Sequence, residues 1–253
     1  MKSVTILLIQ FRSRSITADL EADSITRELG KDINIKRLSA LDNAIYGVLP
    51  EQLLAGVSGV IFGGSGDFDF DGGRKDDDQV TQTSFQLLEQ LRPLLAYIFA
   101  NDIPTLGICF GHQLIGAYAG AEVINDECQK KSCSYEVSLL VSPDEYCLCV
   151  GVPDRFFAHY GHKDSLDRVP DGATLLISGG EACKVSALCY QKNIYTTQFH
   201  PELSLSDMHL RVEATPGYLP EGESVESLFT RENEANTILK NFGQLVLAQT
   251  VSN

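Results

Sequence analysis

The sequence predicts an α/β fold, with an open, mostly parallel central sheet, helices on both faces and an antiparallel extension. Three observations carry the prediction. Strand-like and helix-like segments alternate through the first half of the chain, as the crossovers of a parallel sheet require. The first strand candidate, Val4–Gln10, is a continuous apolar run suited to a strand covered on both faces. After Gly120 the texture changes to short strand candidates split by Pro, Gly and Asp, which suggests antiparallel pairing.

The elements follow in order. Residues 17–29 place Ala18, Ala22, Ile25 and Leu29 at helical spacing and stop at Gly30, a suitable C-cap. Ile33–Leu38 alternates as a second strand, and Val57–Phe62 makes a third that runs into Gly63-Gly64-Ser65-Gly66. Residues 79–100 form a long helix with Pro93 as an expected kink, and Ile103–Ile108 is a fourth strand, followed by a helix over 110–119. The later strand candidates are 121–124, 134–141, 145–150, 173–178, 185–190 and 193–199. Residues 203–231 hold Pro216, Gly217, Pro220, Gly222 and several acids, and read as a long irregular segment suited to a lid or to docking a partner. Residues 232–249 close the chain as an amphipathic helix with Ala235, Ile238, Leu239, Phe242, Leu245 and Val246 on one face. The strands and the last helix belong to one sheet, so residues 1–253 are expected to form a single domain.

The 253 residues carry 20 Lys+Arg against 34 Asp+Glu, a formal charge of −14. Such a balance disfavours nucleic acid, whose binding depends on neutralising phosphates. The apolar start is short and runs into Phe11-Arg12-Ser13-Arg14, unlike a signal peptide, and no run approaches the length of a membrane span. The seven cysteines are odd in number and lack a C-x-x-C pair, so they read as reduced thiols of a cytoplasmic protein.

One cysteine is placed differently. Gly107-Ile108-Cys109-Phe110-Gly111 falls where a strand becomes a helix, which makes a nucleophile elbow with Cys in place of Ser. So sharp a turn needs neighbours without Cβ two residues to either side. The helix N-terminus favours a thiolate there, and the Phe110 N–H can bind the oxyanion of a tetrahedral intermediate. A base of the right kind ends another strand: Gln198-Phe199-His200-Pro201-Glu202. Residues i and i+2 of an extended chain face one side, so Glu202 can orient the His200 ring while its other nitrogen faces the thiol.

With these two motifs the chain resembles the class I glutamine amidotransferases, and among them the stand-alone glutaminase domain of the GMP synthetase type. The resemblance runs from the first strand to Ile238–Phe242. It implies a flavodoxin-like α/β fold, a catalytic triad of Cys109, His200 and Glu202, and an oxyanion hole of Gly64 and Phe110. It also implies substrate contacts from Gln113 and from His162 and Asp164 of the His162-Lys163-Asp164 segment. No cofactor and no metal are implied. Glutamine or a γ-glutamyl small molecule would be the substrate. The sequence has no G-x-x-x-x-G-K-[ST] loop, so transfer of the released ammonia would call for a partner synthase subunit.

The chain departs from the family in three places. Ser65-Gly66 stands where the oxyanion loop usually has Pro, Lys131-Ser132-Cys133-Ser134-Tyr135-Glu136 replaces a Glu-x-Gly segment, and the stretch between Glu202 and the last helix is long. The departures keep two alternatives in view: a self-sufficient γ-glutamyl hydrolase or peptidase of the same fold, and a regulatory protein without catalysis, against which the complete triad argues. Asp67-Phe68-Asp69-Phe70-Asp71-Gly72 has the acid spacing of a calcium loop and runs on to Asp76-Asp77-Asp78. Arg74 at its eighth position and the missing flanking helix pair favour a solvated acidic loop.

Overall fold

The computed structural model describes residues 4–75, 78–215 and 219–252. The chain runs β1 (Val4–Gln10), α1 (Ser15–Leu29), β2 (Ile33–Ser39), α2 (Pro50–Leu53), β3 (Gly59–Phe62), α3 (Gln79–Asn101), β4 (Thr105–Ile108) and α4 (Phe110–Tyr118). It continues through β5 (Val123–Asn125), β6 (Ser134–Leu139), β7 (Arg155–His159), β8 (Asp164–Leu166), β9 (Thr174–Ser178), β10 (Ala187–Cys189) and β11 (Ile194–Thr197). Helices α5 (Leu205–Ala214), α6 (Val225–Leu228) and α7 (Asn236–Ser252) complete it.

Nine strands form one sheet in the order β2-β1-β3-β4-β11-β10-β9-β6-β7, and β5 pairs with β8 in a small second sheet. Strands β2, β1, β3, β4 and β11 are parallel, with Ile6 opposite both Ile35 and Gly59 and Thr196 opposite Gly107. Beyond β11 every pairing is antiparallel. The α/β expectation with its antiparallel extension holds.

The pleat divides the core. Ile6, Leu8 and Ile61 point to one face and pack with Ile25 and Leu29 of α1 and Ile238, Leu239 and Phe242 of α7. Leu7, Ile9, Val60 and Phe62 point to the other and pack with Leu91, Leu95 and Ile98 of α3 and Leu114 and Ile115 of α4. Helix α1 ends where expected, with Gly30 at φ +79° and its N–H on the Thr26 carbonyl at 3.1 Å. Pro93 lies inside α3 without ending it.

Four expectations need correction. Residues 145–150 are not a strand but 3-10 turns, because Asn241 of α7 donates to the Leu148 and Val150 carbonyls at 2.9 and 2.8 Å and leaves that backbone without a ladder. Strands β7 and β8 lie in stretches given no element, where short runs interrupted by polar residues hide the period. The segment 203–231 is irregular only in part among the described residues. It forms α5 and α6, each opened by a serine capping box, and Leu203, Met208, Val225 and Phe229 make a small core of their own. Pro216 and Gly217 lie outside the described residues, as do Asp76 and Asp77. The last helix begins at Asn236 rather than at 232, since Asn233 is used as a cap elsewhere.

Candidate active site

Cys109 occupies the single residue between β4 and α4. Its φ of 53° and ψ of −102° lie in a region that L residues avoid, a strain of about 1–3 kcal/mol that surrounding contacts must hold. The contacts are specific. Cys109 N–H donates to the Thr197 carbonyl at 2.8 Å and Gly111 N–H to the Gly63 carbonyl at 3.1 Å. A Cβ on Gly107 would lie 2.7 Å from the Gly111 carbonyl oxygen, and one on Gly111 only 2.2 Å from that of Phe62. The glycines of the elbow are therefore required by close backbone approach. The Phe110 ring stacks on Phe70 at 5.2 Å and tilts against Phe11 at 4.9 Å, which fixes the first residue of α4. Its N–H has no intrahelical carbonyl to donate to.

β11 lies beside β4, so the chain leaving it meets the elbow. His200 Nδ1 is 2.7 Å from Glu202 Oε1 and both side chains are buried, with Cys109 close enough to act on the charge of the ring. The Cys109 thiol also faces the Gly161 carbonyl at 3.7 Å. The loop is held by its carbonyls: Asn233 Nδ2 donates to His200 and Leu203 at 2.7 Å each, Asn236 Nδ2 to Pro201 at 2.7 Å and Arg27 to Glu202 at 3.2 Å. Burial opposes charge on the His200 ring, but the Glu202 carboxylate and Cys109 outweigh it and raise its pKa from 6.5 to about 10. Burial likewise opposes ionisation of Glu202, and His200 and then Arg211 outweigh it and hold the carboxyl below its ordinary 4.5.

The two shifts have opposite consequences for stability. The raised histidine stabilises the fold fully below 6.5 and less as pH climbs toward about 10, whereas the lowered carboxyl stabilises it above 4.5 and loses this as pH falls further. The stability advantage of the native chain over His200→Gln should thus be largest near pH ~5.5 and decline steadily toward pH ~9.5. Urea unfolding of both proteins across that range checks it, and an advantage that grew with pH would contradict the ion pair.

The Gly64 N–H donates to Glu21 Oε1 at 2.9 Å in this structure. Glu21, buried on α1, also receives Arg12 Nη2 at 3.0 Å and Gln10 Nε2 at 3.0 Å. A Cβ on Gly63 would meet the Glu21 carboxylate at 2.8 Å, so that glycine makes room for the acid. Arg12 itself reaches the site: a Cβ on Gly64 would lie 3.2 Å from Arg12 Nη2, 3.1 Å from His200 Cε1 and 3.5 Å from Cys109 Cβ. Ser65, where the family has Pro, accepts from Asp67 and Phe68 N–H at 3.0 Å each and closes the loop. Replacing Glu21 by Ala strands a buried guanidinium and should cost about 3–5 kcal/mol, read as a lower urea midpoint.

The three expected substrate contacts are buried and engaged within the protein. Gln113 Nε2 donates to the Asp164 carbonyl at 2.7 Å and lies 3.2 Å from Gln198 Oε1. Asp164 accepts from Asp71 and Gly72 N–H at 2.9 and 2.7 Å, so its carboxylate caps the acidic loop. His162 Nε2 meets the Gln129 carbonyl at 2.9 Å, and burial lowers its pKa to about 3, which keeps it neutral. Lys131 and His162 exchange backbone hydrogen bonds at 3.0 and 2.8 Å, and Tyr160 N–H meets the Cys133 carbonyl at 3.0 Å. The altered 131–133 segment is thereby a wall next to Gly161 and the thiol.

The acidic loop is less solvated than expected. Asp67 accepts from Ser13 N–H at 2.9 Å, Asp71 from Asn125 N–H at 2.8 Å, and Asp69 pairs with Arg74 at 3.2 Å and Lys163 at 3.4 Å, while Asp78 caps α3. Sequence reasoning missed Arg12, Glu21, Asn233, Asn236 and Arg211, which surround the site without forming a motif. The one available signal was Ser204-Leu205-Ser206-Asp207, a capping box that announces α5 directly after the His-Pro-Glu motif.

The class I glutamine amidotransferase family model matches residues 26–214. A glutamine-hydrolyzing GMP synthase subunit from Methanocaldococcus jannaschii is 38% identical over 118 residues, 46% of this chain and 60% of the relative. Its counterpart from Methanothermobacter thermautotrophicus is 36% identical over 117 residues, again 46% and 60%. The chain thus spans about 60% of the length of these curated relatives. Among solved structures, a glutamine amidotransferase from Thermotoga maritima superposes with a TM-score of 0.70 at 21% identity over 100% of both chains. Another from Methylobacillus flagellatus superposes with 0.65 at 17% identity, over 100% of this chain and 95% of the other. These two likenesses concern the fold, and the family model, covering most of the chain, decides the kinship: this protein belongs to the class I glutamine amidotransferases.

Proposed function

We propose that this chain hydrolyses the side-chain amide of glutamine through a thioester on Cys109 and releases ammonia for a partner synthase. The observation that carries the reading is the meeting of Cys109, His200 and Glu202, buried together at the carboxyl ends of adjacent parallel strands. The Cys109 thiolate adds to the amide carbon, and the oxygen takes the negative charge beside the Phe110 N–H. His200, held in one orientation by Glu202, gives its proton to the departing nitrogen, and ammonia leaves. Water then gives a proton to His200 as it adds to the thioester, and glutamate is released with the thiolate and protonated His200 restored. Gly64 can contribute a second N–H to the oxyanion only after leaving Glu21. Gln113, His162 and Asp164 act in this reading by shaping the wall beside the elbow.

The relatives are named as subunits of a synthase, which supports a synthase partner. A cytoplasmic location belongs to the same reading and is supported by seven cysteines that are all unpaired. Among the described residues no helix is long and apolar enough to cross a membrane. The test measures glutamate and ammonia released from glutamine, by the chain alone and with a synthase subunit added. Release that depends on Cys109 supports the proposal, and its absence under both conditions refutes it.

A second reading, a self-sufficient γ-glutamyl hydrolase or peptidase, is favoured by the Lys131–Cys133 wall, where the Lys131 ammonium lies 5.2 Å from the Tyr135 ring rather than any acid or glycine of the usual segment. Faster turnover of γ-glutamyl peptides than of glutamine, without a partner, would select it.

A further inference from the structure

We propose that Arg211, on α5, is a positioning residue of the active site that holds Glu202 ionised and in place behind His200. The inference rests on the Cys109–His200–Glu202 reading. Arg211 Nη2 lies 3.6 Å from Glu202 Oε1, and both side chains are buried. That oxygen already accepts from the His200 ring at 2.7 Å, while Oε2 is buried without a hydrogen-bond partner among the described residues. A carboxylate so placed is poorly solvated, and a nearby guanidinium offsets part of the cost of its charge.

The segment is built to bring that guanidinium there. Ser204 caps α5 through the Asp207 N–H, and Asp207 returns to the Ser204 N–H at 2.7 Å. Asp207 is clamped by Arg27 of α1 at 3.0 and 2.6 Å, and the same Arg27 holds the Glu202 carbonyl. Arg211 lies one helical turn after Asp207 and so faces the same side of α5. The backbone of Glu202 and its carboxylate are thereby tied to one helix and its anchor. Residues 205–214 are in this account the back support of the triad and not a lid over it.

The charged and titratable groups facing this acid are His200 on its own loop, Arg211 and Asp207 from α5, Arg27 from α1, and His159 from β7. Beyond His200 stands the Arg12–Glu21 pair. Removing the Arg211 charge lets Glu202 take up a proton at higher pH, and a protonated Glu202 no longer stabilises the imidazolium that pairs with the thiol.

The test follows alkylation of Cys109 by iodoacetamide across pH, with the modified residue mapped by mass spectrometry, so that it does not depend on glutamine turnover. In Arg211→Met the acid limb of the rate should move up by about one pH unit, giving a roughly tenfold slower reaction near pH ~5 and a rate within about twofold of native near pH ~8. Arg211→Lys should restore the limb. A limb that stays in place, or an equal loss at every pH, overturns the proposal, since both mark a residue that only packs α5. If Arg211→Met does not fold, Arg211→Gln and Arg211→Lys are compared in its place, and two coincident profiles overturn it. Glutamine hydrolysis assayed in parallel separates the readings: a moved limb in a chain that never hydrolyses glutamine refutes the glutaminase and leaves the role of Arg211 standing.

Discussion

Cys109→Ala should lower the rate of ammonia release from glutamine by about 10⁴-fold or more, because the thiol is the only atom that bonds to substrate in the proposed course. The double variant Cys109→Ala/His200→Gln should be no worse than the single one, since base and nucleophile act on the same bond. The Cys109→Ala chain should keep its fold, as Ala fits within the space of the buried thiol and leaves only the Gly161 carbonyl contact unmade. Ammonia release by the two variants, with thermal unfolding as the control for folding, checks both statements. Residual activity within tenfold of native would place the chemistry elsewhere.

Gly111→Ala should be the most damaging glycine-to-alanine change among the described residues. Its Cβ would stand 2.2 Å from the Phe62 carbonyl oxygen, and the backbone cannot retreat while its N–H is held by Gly63 at 3.1 Å. Overpacking in a well-ordered interior usually costs about 1–3 kcal/mol and sometimes more, and this contact joins two backbones with no flexible side chain to yield. The expected result is a loss of ~3 kcal/mol or more in urea unfolding, together with loss of Cys109 alkylation. Gly47→Ala, where a Cβ meets nothing within 4 Å, should leave stability nearly unchanged. Equal behaviour of the two variants would mean that the elbow tolerates a backbone shift.

Much of this arrangement is legible in the amino-acid sequence alone. Parallel strands reveal themselves by apolar runs, so β1 is predicted to the residue, and the elbow is announced by glycines that the backbone cannot do without. The His-Pro-Glu spacing foretells the 2.7 Å contact of His200 with Glu202 because two residues apart in extended chain share a face. The pattern fails where long-range polar contacts decide. Helical spacing puts Glu21 beside the buried stripe of α1, four residues before Ile25, but nothing local says that its carboxylate will cross to Gly64. Nor does anything local in Asp164 say that its carboxylate will accept from the Asp71 and Gly72 N–H groups. Residues 145–150 look strand-like, but Asn241, distant in sequence, satisfies their carbonyls.

The side-chain capping of the His200–Leu203 carbonyls also bears on the order in which the molecule is made. The caps come from Arg27, on the first helix, and from Asn233 and Asn236, which follow β11 and α6. During synthesis the elbow cysteine leaves the ribosome long before its base, and the base before Asn233 and Asn236, two of the three residues that fix it. Contacts so distant in sequence close late. A nascent or prematurely terminated chain therefore carries a thiol without its activating partner, and reactivity is conferred only on the finished product.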